Sequence, residues 1–174
     1  FCELAGVWLA DLALLAGRPE EALRLARAAL AQAEASESWW FLCVAHLTLG
    51  KIFGHTRTYA PAESHLAQAL HYAELAHSPP LQAHALVEMG EVIWNMSHAG
   101  LCRPADAEGH APQHSSADDC TAAGERCRAR ESIVRAVELC DRLGMRSAGR
   151  RARALLARLD GPEPNAGEGT GGKS

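Results

Sequence analysis

A chain of 174 residues with a 48% hydrophobic fraction is long enough to bury a core. Its net charge of −4 argues against wholesale binding to nucleic acid or to membranes. Aromatic residues make up only 5%, and much of the apolar content is Ala and Leu, which favours close-packed helices over sheets.

The chain opens on Phe1 and not on Met, so a fragment or a processed piece is expected. Residues 4–16 are apolar, but Glu3 and Asp11 interrupt them and no basic leader precedes, which argues against a signal peptide. No apolar run approaches the roughly 20 residues of a membrane span. A soluble, cytoplasmic protein with no membrane partner is expected. The cysteines Cys2, Cys43, Cys102, Cys120, Cys127 and Cys140 do not read as a disulfide framework. Cys43 and Cys140 fall inside helical patterns, where a thiol acts as a small hydrophobe.

In chain order, residues 3–16 predict a helix with Leu4, Val7, Trp8, Leu12 and Leu15 on one face. Gly17 stops it, and Pro19, Glu20 and Glu21 suit the first turn of the next, where a missing N–H costs nothing and acids meet the positive end of the helix dipole. Ala22, Leu25, Ala26, Ala29 and Ala33 form that second helix's buried stripe. Trp39 to Phe53 is the third helix, with Trp40, Val44, Leu47 and Phe53 inward, and one of Trp39 and Trp40 in the core. After a loop over 54–60, Ala62, Leu66, Ala69, Leu70 and Ala73 repeat the stripe, and Ser78-Pro79-Pro80 ends the fourth helix. Leu81 to about Met96 is the fifth, with Ala85, Met89, Val92 and Ile93 inward. Residues 98–126, rich in Gly, Pro, Ser, Asp and His, read as a long disordered insertion. Helix returns near Cys127, runs to Leu143 and is capped by Gly144. Residues 146–159 form a capping helix with Ala148, Ala152, Leu155, Leu156 and Leu159 on one side, and 161–174 a disordered Gly/Pro-rich tail.

The pattern repeats. Ala10, Gly50 and Gly90 are spaced by forty, and each follows a bulky residue, Leu9, Leu49 or Met89. Twelve residues after the first two come Ala22 and Ala62, and seven later Ala29 and Ala69. Ala129 and Ala136 keep the gap of seven beyond the insertion. Glycine inside a helix costs about 1 kcal/mol relative to Ala, so Gly50 and Gly90 call for close approach of a partner helix. These residues predict an all-α stack of antiparallel hairpins over about 3–34, 39–77 and 81–143, closed by the capping helix, within a domain spanning 1–160.

The bulky and small residues of each first helix, followed by two alanines seven apart in the second, resemble the tetratricopeptide repeat over roughly residues 3–143. The early aromatic of that motif is replaced by Gly6 and His46, its terminal Pro is absent, and the period is forty. Longer repeats of this kind resemble those of bacterial multidomain regulators, including LuxR-type activators, and of class III nucleotide cyclases that carry an ATPase module. The resemblance implies a right-handed superhelical stack. It also implies a non-catalytic interaction or regulatory module whose partner is a protein or a neighbouring domain. The alternative is the regulatory region of a cyclase or ATPase whose catalysis lies elsewhere.

Several other stretches hold residue types capable of chemistry. Gly167 to Ser174 matches the letters of a phosphate-binding loop, but Pro162-Glu163-Pro164-Asn165 precedes it where a strand is needed, and no helix follows in this sequence. Cys102, His110, His114, Cys120 and Cys127 are zinc-ligand types without the tight pair spacing of structural zinc sites. Arg142, Arg146, Arg150 and Arg153 read as the solvated face of the capping helix and not as a phosphate-contacting stripe. His46, His65, His71, His77 and His84 form no catalytic set. No catalytic residue, cofactor or metal is therefore expected, and nucleic acid is not an expected partner.

Overall fold

The computed structural model describes residues 2–99 and 117–161, with side chains over 4–99 and 124–161. Every described element is a helix. They are α1 (Cys2–Leu15), α2 (Pro19–Ser36), α3 (Trp39–His55), α4 (Tyr59–Leu75), α5 (Pro79–His98), α6 (Ala117–Leu143) and α7 (Arg146–Leu159).

The turns between them recur. Gly17, Glu37, Arg57 and His77, at intervals of twenty, have φ of 72°, 50°, 58° and 46°, and Gly144 has 68°. A left-handed residue just past a helix lets the next amide reach back to carbonyls that the helix leaves open. The amides of Arg18, Thr58, Ser78 and Met145 do so, bonding Ala13, Phe53, Ala73 and Cys140 at 2.8–2.9 Å. Glycine holds this conformation without strain, whereas Glu37, Arg57 and His77 carry a Cβ against it.

Among the described residues, each helix touches only helices one or two places away. α1 packs on α2 and α3, α3 also on α4 and α5, and α5 also on α6 and α7. The core is built from small residues facing bulky ones. Ala10, Ala13, Ala22 and Ala26 receive Leu49 and Ile52 from α3. Forty residues on, Ala62 and Leu66 share a cluster with Met89 and Val92 of α5. A Cβ on Gly50 would lie 2.5 Å from Leu66 Cγ, and one on Gly90 2.3 Å from Ile133 Cγ1. Glycine in both helices is therefore what admits a bulky partner, as the internal period requires.

Four expectations are corrected. Pro79 and Pro80 open α5 instead of closing α4, which ends at Leu75; a proline in the first turn forfeits no helical hydrogen bond. Residues 117–126, expected within a disordered insertion over 98–126, are helical, because α6 begins at Ala117, and His98 closes α5; the rest of that stretch over 100–116, and the tail over 162–174, lie outside the described residues. In α1 the large residues face outward. Trp8, Leu9 and Leu12 are 63%, 51% and 60% exposed and Leu15 more so, while Val7, Ala10 and Ala13 are buried. The reason is the close approach of α2, since a Cβ on Gly6 would stand 3.2 Å from Ala29 Cβ and leaves room only for small side chains there. Finally, both Trp39 and Trp40 are exposed, Trp39 stacking on Tyr72 and Trp40 packing edge-on against Phe41. No described helix is long and apolar enough to cross a membrane.

Candidate functional site

The forty-residue period places Asp11, Lys51 and Glu91 each one residue after Ala10, Gly50 and Gly90. In a helix, successive residues are about 100° apart, so where the small residue faces its hairpin partner the next one turns toward another side. That side is a cleft of about 830 Å3 along the odd-numbered helices. α1 contributes Asp11, α3 Lys51 and His55, α5 Glu88, Glu91, Asn95 and His98, and α7 Arg151; Arg57 and Tyr59 reach it from the start of the second hairpin's return.

The charges there are largely paired. Lys51 Nζ stands 4.0 Å from Asp11 Oδ2. Arg151 donates from Nη1 to Glu88 Oε1 at 2.5 Å and from Nη2 to Glu88 Oε2 at 3.0 Å, and also to Glu91. This two-pronged contact uses the planar fork of the guanidinium, which a lysine could not reproduce. Burial works against the charge on Arg151, but the hydrogen bonds and charges of Glu88 and Glu91 outweigh it and hold its pKa above the ordinary value. Glu88 is itself buried. His84, one turn earlier on α5, has its pKa lowered by burial and by Lys51 and Arg151, against the pull of Glu88.

A second cluster lies between α3 and α4. The Nδ1 atoms of His46 and His65 stand 2.9 Å apart, at hydrogen-bonding distance, with the tautomer deciding which ring donates. Their rings continue into a row that runs from Trp39 through Tyr72, His46 and His65 to Phe53, with neighbouring centroids 5.1–5.9 Å apart. Burial, and then the charge of His65, push the His46 pKa down to about 4. Burial, and then Arg27 on α2, lower that of His65. Burial likewise pushes the Cys43 thiol up to about 12, so it stays protonated.

Of the residues expected to pack the repeat, Ala10, Ala22, Ala29, Leu49, Ala62, Ala69, Met89, Ala129 and Ala136 are buried, as are Gly50 and Gly90. Leu9 is the departure, half out in solvent. Arg142, Arg146 and Arg150 are exposed, and Arg153 pairs with Asp141 at 2.6 Å. Cys127 is exposed, while Cys102, His110, His114, the Cys120 side chain and Gly167 to Ser174 lie outside the described residues. Within the described residues no three His, Cys, Asp or Glu side chains are grouped to hold a metal. The Arg151 anchor and the histidine pair were not anticipated. The 11/51/91 register was the available signal for the cleft, whereas residues 46 and 65 sit on different helices with no local pattern to join them. No family model matches the chain, and no curated protein or solved structure matches it.

Proposed function

We propose that the chain is a non-catalytic recognition module of the tetratricopeptide type. Its three antiparallel hairpins and capping helix form a right-handed stack, and the cleft along α1, α3, α5 and α7 receives an extended segment of a protein partner or of a neighbouring domain. The observation that carries this reading is the lining of one continuous cleft by register-equivalent positions on successive hairpins, Asp11, Lys51 and Glu91. Stacked helix pairs create extended concave surfaces of this kind, and rigid helices hold the lining charges in fixed places. The Arg151 bridge between Glu88 and Glu91 ties α7 to α5, so the far wall of the cleft is pre-set before a ligand arrives. A preset wall saves ordering entropy on binding.

Panning the chain against displayed random peptides, followed by anisotropy titration, tests the reading. Peptides should be recovered that bind in the micromolar range and weaken by about tenfold or more when Lys51→Glu or Glu91→Lys reverses a cleft charge, a loss of about 1.4 kcal/mol. Recovered peptides whose binding ignores both reversals, or the recovery of none at all, refute it.

A further inference from the structure

The face of α1 turned away from α2 carries Trp8, Leu9 and Leu12, each more than half exposed. Apart from Asp11, no charged residue lies among the described side chains of α1, and Asp11 is engaged with Lys51. Isolated exposed leucines need no explanation, but a contiguous apolar strip on one helix does. The chain itself contains the answer to what covers such a strip. Leu9 and Leu12 are forty residues from Leu49 and Ile52, and eighty from Met89 and Val92. Leu49 and Ile52 are 1% exposed, seated in a groove that α1 and α2 form from Ala10, Ala13, Ala22 and Ala26. Met89 and Val92 are buried in the same way with Ala62 and Leu66 of the second hairpin. Leu156 and Leu159 of α7 pack with Ile133 of the third.

We infer that the exposed face of α1 is a docking surface for a further antiparallel helix pair, built like α1–α2 and presenting small residues in the groove that meets Leu9 and Leu12. The inference continues an interface already made three times in the molecule, and it rests on the repeat register but not on the cleft. A second copy of this chain is not the occupant. Its small-residue grooves are already filled by Leu49 and Ile52, by Met89 and Val92, and by Leu156 and Leu159. α7 differs from α1 in this respect, since it carries the exposed arginines Arg146 and Arg150.

The test supplies the occupant from the chain's own sequence. Residues 1–40, one full period, are repeated ahead of Phe1 in the full chain, so that the junction reproduces Trp39-Trp40-Phe41 as Trp39-Trp40-Phe1. Covering two leucines and part of Trp8 should raise the melting temperature by about 5–10 °C. It should also slow hydrogen exchange of the amides over residues 4–15 of the original α1 at least about tenfold. Leu9→Lys with Leu12→Lys in the original α1 should abolish both gains, while the same pair in the unextended chain leaves its melting temperature within about 2 °C. An extended chain that melts and exchanges like the original, or that fails to fold although it copies a working junction, overturns the inference. So does concentration-dependent dimerisation of the unextended chain, measured by sedimentation and lost in Leu12→Lys, because that would make a second copy the occupant.

Discussion

Gly50 and Leu66 are two halves of one contact, and exchanging both for alanine should cost less than exchanging Leu66 alone. A Cβ added at Gly50 would stand 2.5 Å from Leu66 Cγ and 2.7 Å from Cδ2. Overpacking of this kind costs about 1–3 kcal/mol, offset by about 1 kcal/mol of helix propensity, so Gly50→Ala should destabilise by about 1 kcal/mol. Leu66 is fully buried, and Leu66→Ala should cost about 3 kcal/mol through lost burial and the cavity left behind. In the double variant the new methyl enters the space that Leu66 vacates. The clash disappears, the propensity gain remains, and the net cost falls to about 1–2 kcal/mol. The first hairpin already uses this arrangement, with Ala10 and Ala26 at the corresponding positions and both fully buried. A double-mutant cycle by urea denaturation should therefore return a coupling energy of about 2 kcal/mol in favour of the double variant. Additivity to within about 0.5 kcal/mol would refute the proposed register, because independent sites behave that way.

The turns and the histidine pair give two further predictions. Gly17→Ala should lower stability by about 1 kcal/mol in chemical melts, since its φ of 72° disfavours a Cβ, whereas Arg57→Gly should raise it by about 0.5–1 kcal/mol by releasing the same strain. The pH dependence follows from the depressed folded-state pKa values of His46 and His65. Unfolding frees His46 to its ordinary value of 6.5, so below that pH the unfolded chain binds the proton more readily and stability falls. The contribution is complete above about pH 6.5, declines as pH drops toward 4, and amounts to on the order of 3 kcal/mol of loss at pH 4 from His46 alone. His46→Leu, which imports the residue found forty positions on at Leu86, should make the fall in melting temperature between pH 6.5 and 4 shallower, His65 and His84 supplying what remains, and an unchanged slope would count against the buried pair.

How much of this could be read in advance depended on whether a feature had a local signature. Gly17 and Gly144 announced helix ends because glycine there has a backbone reason, and the fixed spacing of Ala10, Gly50 and Gly90 located the hairpin contacts. The α1 face was not legible, because apolar residues occur all round that helix and periodicity cannot choose between Val7 and Trp8. The choice is made by the approach of Ala29 to Gly6, a tertiary fact. Pro79-Pro80 is ambiguous in the same sense, as a proline both stops one helix and starts another. The first turns of α6, with Asp118, Asp119 and Gly124, lack an apolar period and read as loop although the chain is helical there. In the cleft, Arg151 looked like one more arginine of a basic helix, and only the folded chain sets it between Glu88 and Glu91.

The restriction of contacts to near neighbours has a mechanical consequence. Among the described residues nothing connects α1 or α2 directly to α6 or α7, so bending between the two ends is resisted only by the interfaces through α3, α4 and α5. Small rotations at each interface add along such a series, opposed among the described residues only by the contacts between next-but-one helices, such as those of α1 with α3 and α5 with α7. Among the described helices, Asp11 and Arg151 therefore stand at opposite ends of a chain of neighbour-to-neighbour interfaces, and a change in any one of them is felt in their separation.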